Sequence, residues 1–136
     1  MSENLKENIN MNPDDMRQSH DMSHYDMSHR HEYLIKTIQE CEVVCEEMTT
    51  MLKRKYDVRM RVMQLQLLRD CADICGLTVK YIARHSIFSK CIANLCAYIC
   101  EMCGRECSRF SDAESQHCAR ICLKCARECS AFAMMS

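Results

Sequence analysis

Twelve of the thirteen cysteines in this chain stand three or four residues from another: Cys41/Cys45, Cys71/Cys75, Cys96/Cys100/Cys103/Cys107 and Cys118/Cys122/Cys125/Cys129. At about 3.6 residues per turn, that spacing places each set on one face of a helix. The chemistry on offer is therefore that of soft sulfur ligands held in rows. Cys91 alone falls out of phase. A single buried thiol is usually just a small hydrophobe. Twelve in register are different, because thiols fill a core less well than Leu or Ile and would forfeit much apolar burial. Disulfides within a helix are disfavoured, since Cβ atoms at i,i+4 stand ~5–6 Å apart and a bridge wants ~3.5–4.5 Å. Bridges between helices stay geometrically open, so a structural or redox-sensing thiol bundle remains an alternative. The pattern favours metal.

Which metal follows from charge. Cys100-x2-Cys103, with Gly104 after it, and Cys122-x2-Cys125 have zinc-ribbon spacing. Here each pair lies within a longer 4-3-4 helical series rather than on a turn. Four thiolates around Zn²⁺ leave a charge of −2 in a dry core, whereas bridging thiolates at about one Cu(I) per sulfur approach neutrality. Multiple Cu(I) ions per chain are expected, with all thirteen cysteines, Cys91 included, as their ligands and a metallothionein-like Zn²⁺ or Cd²⁺ buffer as the alternative. Iron–sulfur ligation lacks its trailing Cys-Pro and its wrapping loops.

These rows need helices to carry them. From His31 the first stripe runs Leu34, Ile38, Cys41, Cys45, Met48, Leu52, alternating steps of four and three. This helix is expected to end near 55, where Lys53, Arg54 and Lys55 suit its negative end, with Asp57 capping the next. The second helix, about 57 to 86, carries Met60, Leu67, Cys71, Cys75, Thr78 and Ile82 inward, interrupted by Gln64. Ser86 caps a third, whose inward positions are Phe88, Ile92, Cys96, Cys100, Cys103, Cys107 and Phe110. Ser111-Asp112-Ala113-Glu114 reads as a capping box opening the fourth, with Cys118, Cys122, Cys125, Cys129 and Phe132 as its seam. Short links force neighbours to run antiparallel, so the fold class is all-α, an up-down-up-down four-helix bundle over residues 31–136.

Composition agrees. Two Gly, one Pro and no Trp leave little for an all-β fold, and a net charge of −1 supplies no excess cation for nucleic acid or an anionic membrane. The longest uncharged run in the core region, Cys91 to Cys100, is too short to span a bilayer. Residues 1–30 hold the only proline, are acidic and polar, and show neither a helical stripe nor an export-signal apolar stretch. They are expected to be a disordered tail on a cytoplasmic protein. No carboxylate pair, Gly-rich loop or nucleophile triad points to an enzyme.

Cys71-Ala72-Asp73-Ile74-Cys75, Cys96 through Cys107 and His117-Cys118 through Cys129 together resemble helices two, three and four of the bacterial four-helix-bundle copper storage proteins. The resemblance covers roughly residues 31–135. It implies a homotetramer whose core thiolates hold many Cu(I) ions through Cys-x3-Cys pairs, in the cytosolic branch of the family, with a copper chaperone or efflux system as exchange partner. Two features depart from that pattern. The first two helices carry only two cysteines each, and the tail repeats Asp-Met-Ser-His at 21–24 and 26–29.

Soft and imidazole ligands outside the rows form three groups. Met48, Met51, Met60, Met63 and His117 are candidates for a mouth that admits Cu(I) at one end, and His85, beside Cys91, Cys129, Met134 and Met135, is the candidate for a mouth at the other; position alone does not choose between them. Met is also an ordinary core filler. In the tail, Met16, His20, Met22, His24, Met27, His29 and His31 offer thioether for Cu(I) and imidazole for Cu(II).

Overall fold

The computed structural model describes the backbone of residues 13–135, with side chains described from His29 to Met135. Four helices follow one another: α1 (Pro13–Leu52), α2 (Val62–Ala83), α3 (Ser89–Ser108) and α4 (Ala113–Ala133), with a 3-10 turn at Val58–Arg61 before α2. The chain divides into two compact units, residues 1–33 and 34–136, and the second contains every cysteine.

Helix α1 begins at Pro13, eighteen residues ahead of the start at His31 expected from the stripe. Its first residue suits this start: proline brings a preset φ and no N–H to a first turn. A polar segment with helix-compatible residues needs no apolar stripe to continue an existing helix, because propagation is easier than nucleation. The rest of the expected tail, residues 1–12, lies outside the described residues.

Three inter-helix links carry the corrections to the sequence reading. Asp57 precedes the 3-10 turn but makes no capping bond; its carboxylate instead pairs with Arg61. The tighter turn breaks the 3.6 register, so Met60 is 80% exposed and the inward face of α2 becomes Gln64, Leu68, Cys71, Cys75, Thr78 and Ile82, with Leu67 half-buried beside it. In the second link, Ser86 Oγ does accept a backbone N–H, from Phe88, but Phe88 sits outside α3 and is exposed rather than inward. His85 occupies the left-handed region, φ 54°, and the two hydrogen bonds around it, His85 N–H to Ile82 O and Ser86 N–H to Tyr81 O, close the last carbonyls of α2. In the third link the cap is Asp112, not Ser111: Asp112 Oδ2 accepts from Ser115 N–H at 3.0 Å.

The core is a column rather than a sphere. Twelve cysteines have no exposed surface, and around them pack Leu34, Ile38, Met48, Leu52, Leu68 and Ile82. Helices α3 and α4 approach closely at Gly104, where a Cβ would stand 2.8 Å from Leu123 Cγ and 3.2 Å from the Ala119 carbonyl oxygen. Gly104→Ala is accordingly expected to cost ~1–3 kcal/mol by overpacking, read as a lower urea or thermal midpoint. An unchanged midpoint would mean that the α3–α4 contact yields freely.

Candidate metal centre

The rows anticipated on separate helices meet. Helical phase turns Cys41 and Cys45 on α1, Cys71 and Cys75 on α2, and four cysteines each on α3 and α4 towards one axis. Sulfur then touches sulfur across helices: Cys41–Cys71 at 3.7 Å, Cys45–Cys122 at 3.6 Å, Cys71–Cys100 at 3.5 Å, Cys100–Cys125 at 3.7 Å and Cys103–Cys122 at 3.8 Å. All thirteen cysteines are free thiols.

Two cysteines are hubs. Cys100 lies 3.5–3.8 Å from Cys71, Cys75, Cys96 and Cys125. Cys122 lies 3.6–3.9 Å from Cys41, Cys45, Cys103 and Cys118. Three fully buried four-sulfur groups result: Cys41/Cys45/Cys71/Cys122, Cys41/Cys71/Cys75/Cys100 and Cys75/Cys96/Cys100/Cys125. Neighbouring groups share two sulfurs, so the column is one continuous ligand array. With a metal–sulfur bond of ~2.3 Å, thiolates around one ion stand ~3.8 Å apart in a tetrahedron and ~4.0 Å in a trigonal site. The contacts of 3.5–3.9 Å across helices lie close to both values, and all sulfurs of each group stand within 4.8 Å of one another, whereas a disulfide would require two sulfurs to close to ~2.05 Å.

The electrostatics of the array call for cations. Arg61 is the one buried basic side chain among the described residues, and it is already matched by carboxylates. Hydrogen bonding divides the thiols into two sets. That from Cys107 lowers Cys103 to about 7. The thiols of Cys41, Cys71, Cys96 and Cys118 are likewise lowered by sulfur neighbours. Those of Cys45, Cys75, Cys107 and Cys129 are raised, by neighbouring sulfurs first and burial second. Cys100 and Cys122 are raised too. The array can therefore become fully thiolate only if positive charge enters with the deprotonation.

Residues 27–134 match the sequence profile of the family described as copper storage protein. The chain belongs to that family. Among solved structures it is similar to the Cu(I)-bound copper storage protein BsCsp3, 36% identical over 76% of this chain and 98% of that one, with a TM-score of 0.72. It is also similar to metal-free Csp3 from Bacillus subtilis, at 37% identity over 75% and 97% of the two chains and a TM-score of 0.69. A curated relative, the uncharacterized cysteine-rich protein YhjQ of Bacillus subtilis strain 168, is 53% identical over 45 residues, 33% of this chain. That stretch spans 42% of the relative's length.

Membership in the copper storage family directs attention to residues beyond the column. Cys91 is exposed and belongs to none of the four-sulfur groups, because it lies on the outer face of α3. Cys91→Ser is expected to leave the number of bound coppers unchanged by metal analysis; a loss would place a ligand on the surface. The methionines proposed for a mouth are divided: Met48 is buried, Met51 half-buried, and Met60 and Met63 are 80% and 55% exposed. His117 and His85 are exposed, the latter at the turn that ends α2. In the tail set, His29 is exposed and His31 half-buried, while the side chains of Met16, His20, Met22, His24 and Met27 lie outside the described residues. Sequence reasoning missed Arg61 and Ser115 and treated Gln64 as a blemish. The available signal was their phase: Gln64 is seven residues before Cys71 and Ser115 three before Cys118.

Proposed function

We propose that this chain stores or sequesters Cu(I), with the twelve buried cysteines as bridging thiolate ligands and the bundle as a shield against water and oxidants. The observation that carries this reading is the sharing of sulfurs among three buried groups. An array of shared soft ligands suits many monovalent soft ions better than one structural ion. The bundle has no catalytic role in this proposal. It works in the cytoplasm as a homotetramer and exchanges copper with a chaperone or efflux system. Among the described residues no helix is long and apolar enough to cross a membrane. The Met/His segment captures copper ahead of the core, a role its composition supports.

Anaerobic titration of the reduced chain with Cu(I) against a competing chelator tests the reading. About ten or more ions per chain are expected, near one per buried sulfur. Saturation at one or two would leave a carrier or sensor instead. Displacement of the copper by equimolar Zn²⁺ would favour the zinc-buffer alternative.

A further inference from the structure

The sulfur column is closed at both ends, and the two closures are chemically unlike. At the end where α1 begins its cysteine row, Leu34, Ile38, Ile82 and Ala93 are buried and Phe132 packs against them. Two buried hydroxyls near that end are bonded to backbone, Thr78 to the Ile74 carbonyl and Ser89 to those of Tyr81 and Ser86. Cys91, Met134 and Met135 are exposed outside this end, but beneath the surface a cation would lose its water among apolar side chains before reaching the column.

At the opposite end, beside buried Met48, Leu52 and Leu68, stands Arg61, its side chain 6% exposed. Its Nε donates to Asp57 Oδ2 at 3.1 Å, and Nη2 stands 2.9 Å from Asp112 Oδ1. Nη1 donates to Gln64 Oε1 at 3.1 Å and to Ser115 Oγ at 3.2 Å, and the guanidinium lies 4.3 Å over the ring of Phe110. Beneath it, Gln64 Nε2 donates to Ser115 Oγ at 3.0 Å and to Cys107 Sγ at 3.5 Å. One side chain from the α1–α2 link is thus fastened to the α3–α4 link and to the first turn of α4, directly above the outermost sulfur.

From this we propose that Arg61 is a charged latch over the mouth of the copper store, and that Cu(I) enters and leaves past it rather than through the aliphatic end. All twelve column sulfurs are fully buried, so some group must move before any can meet an ion. Displacing the guanidinium replaces one monovalent cation by another between Asp57 and Asp112, and charge is conserved as the ion arrives. It uncovers oxygen ligands in Gln64 and Ser115 and then the sulfur of Cys107, a graded path from hydrated ion to thiolate. Arg61 is a positioning residue here, not a copper ligand.

The inference rests on the proposed copper loading, and one experiment on the full chain separates the two. Copper per chain at saturation and the rates of Cu(I) uptake and of removal by excess chelator are measured together, with circular dichroism to verify folding. Arg61→Met is expected to leave the count unchanged and raise both rates about tenfold, equivalent to ~1.4 kcal/mol off the opening barrier. Ile82→Ala, which loosens the aliphatic end, is expected to leave them within twofold. Should Arg61→Met not fold, Phe110→Leu carries the same expectation, since it frees the guanidinium from its stacking partner and keeps every charge. Rates unmoved at the polar end, or raised by Ile82→Ala instead, would overturn the latch alone. A wild-type count of one or two would overturn the storage reading and the latch with it.

Discussion

The double variant Cys100→Ala/Cys122→Ala is expected to lose about four or more coppers per chain, although it removes only two thiols. Each of these sulfurs touches four others, and between them they appear in all three four-sulfur groups. If every thiolate bridges ions, deleting a hub opens the coordination of each ion it shared. If each cysteine instead held its own ion, the loss would be two, so the count distinguishes a shared array from independent sites. Elemental analysis after anaerobic loading and gel filtration provides the number. Cysteine and alanine are both small and apolar, so the metal-free bundle should remain folded, which circular dichroism checks. Cys91→Ser is the matched control, a cysteine lost outside the array.

The second large effect concerns pH. Seven thiols are raised in the folded chain, Cys45, Cys75, Cys100, Cys107, Cys122, Cys125 and Cys129; for Cys125, bonds from Cys100 and Cys129 pull down but Cys41 and burial prevail, leaving it at about 11. A thiol whose folded pKa is raised adds stability below its unfolded value, ~8.5, and that stability disappears as pH climbs through the folded value. All seven shifts have the same direction, so their contributions to the pH dependence share one sign. The lowered thiols act oppositely: Cys103, at about 7, contributes above the ordinary thiol range and loses that contribution as pH falls through 7. Metal-free protein should therefore melt progressively lower from pH 9 to 11. The copper-loaded form should not, because its thiolates are already unprotonated and neutralised. Copper affinity has the reverse dependence, weakening as pH falls, since each thiolate formed on loading releases a proton. Thermal melts of both forms across that window would contradict this account if the metal-free midpoint stayed level.

Much of this molecule was legible before any fold was known. A row such as Cys96, Cys100, Cys103, Cys107 has one reading as a helix, because only a 3.6-residue repeat brings all four to one side, and two rows of four need a partner face to bury them. Helix type, the antiparallel order forced by short links and the identity of the twelve inward sulfurs follow from that periodicity. The places where the reading slipped are link residues. Phe88 and Met60 look inward by spacing, but they stand where a cap and a 3-10 turn break the period, and Asp112 takes the capping role that Ser111 and Glu114 advertise.

What the sequence determined by itself is the repeat: which residues share a face, and that the face is made of soft ligands. Only the tertiary structure decided which sulfurs from different helices stand 3.5–3.9 Å apart and which pair become hubs. It also decided that Arg61 and Gln64, neighbours in the chain, meet the distant Ser115 as a polar closure over one end. The reason is physical. Local periodicity is a property of one helix, whereas distances across the column depend on rotation, stagger and link geometry among four, and no single stretch of sequence contains those.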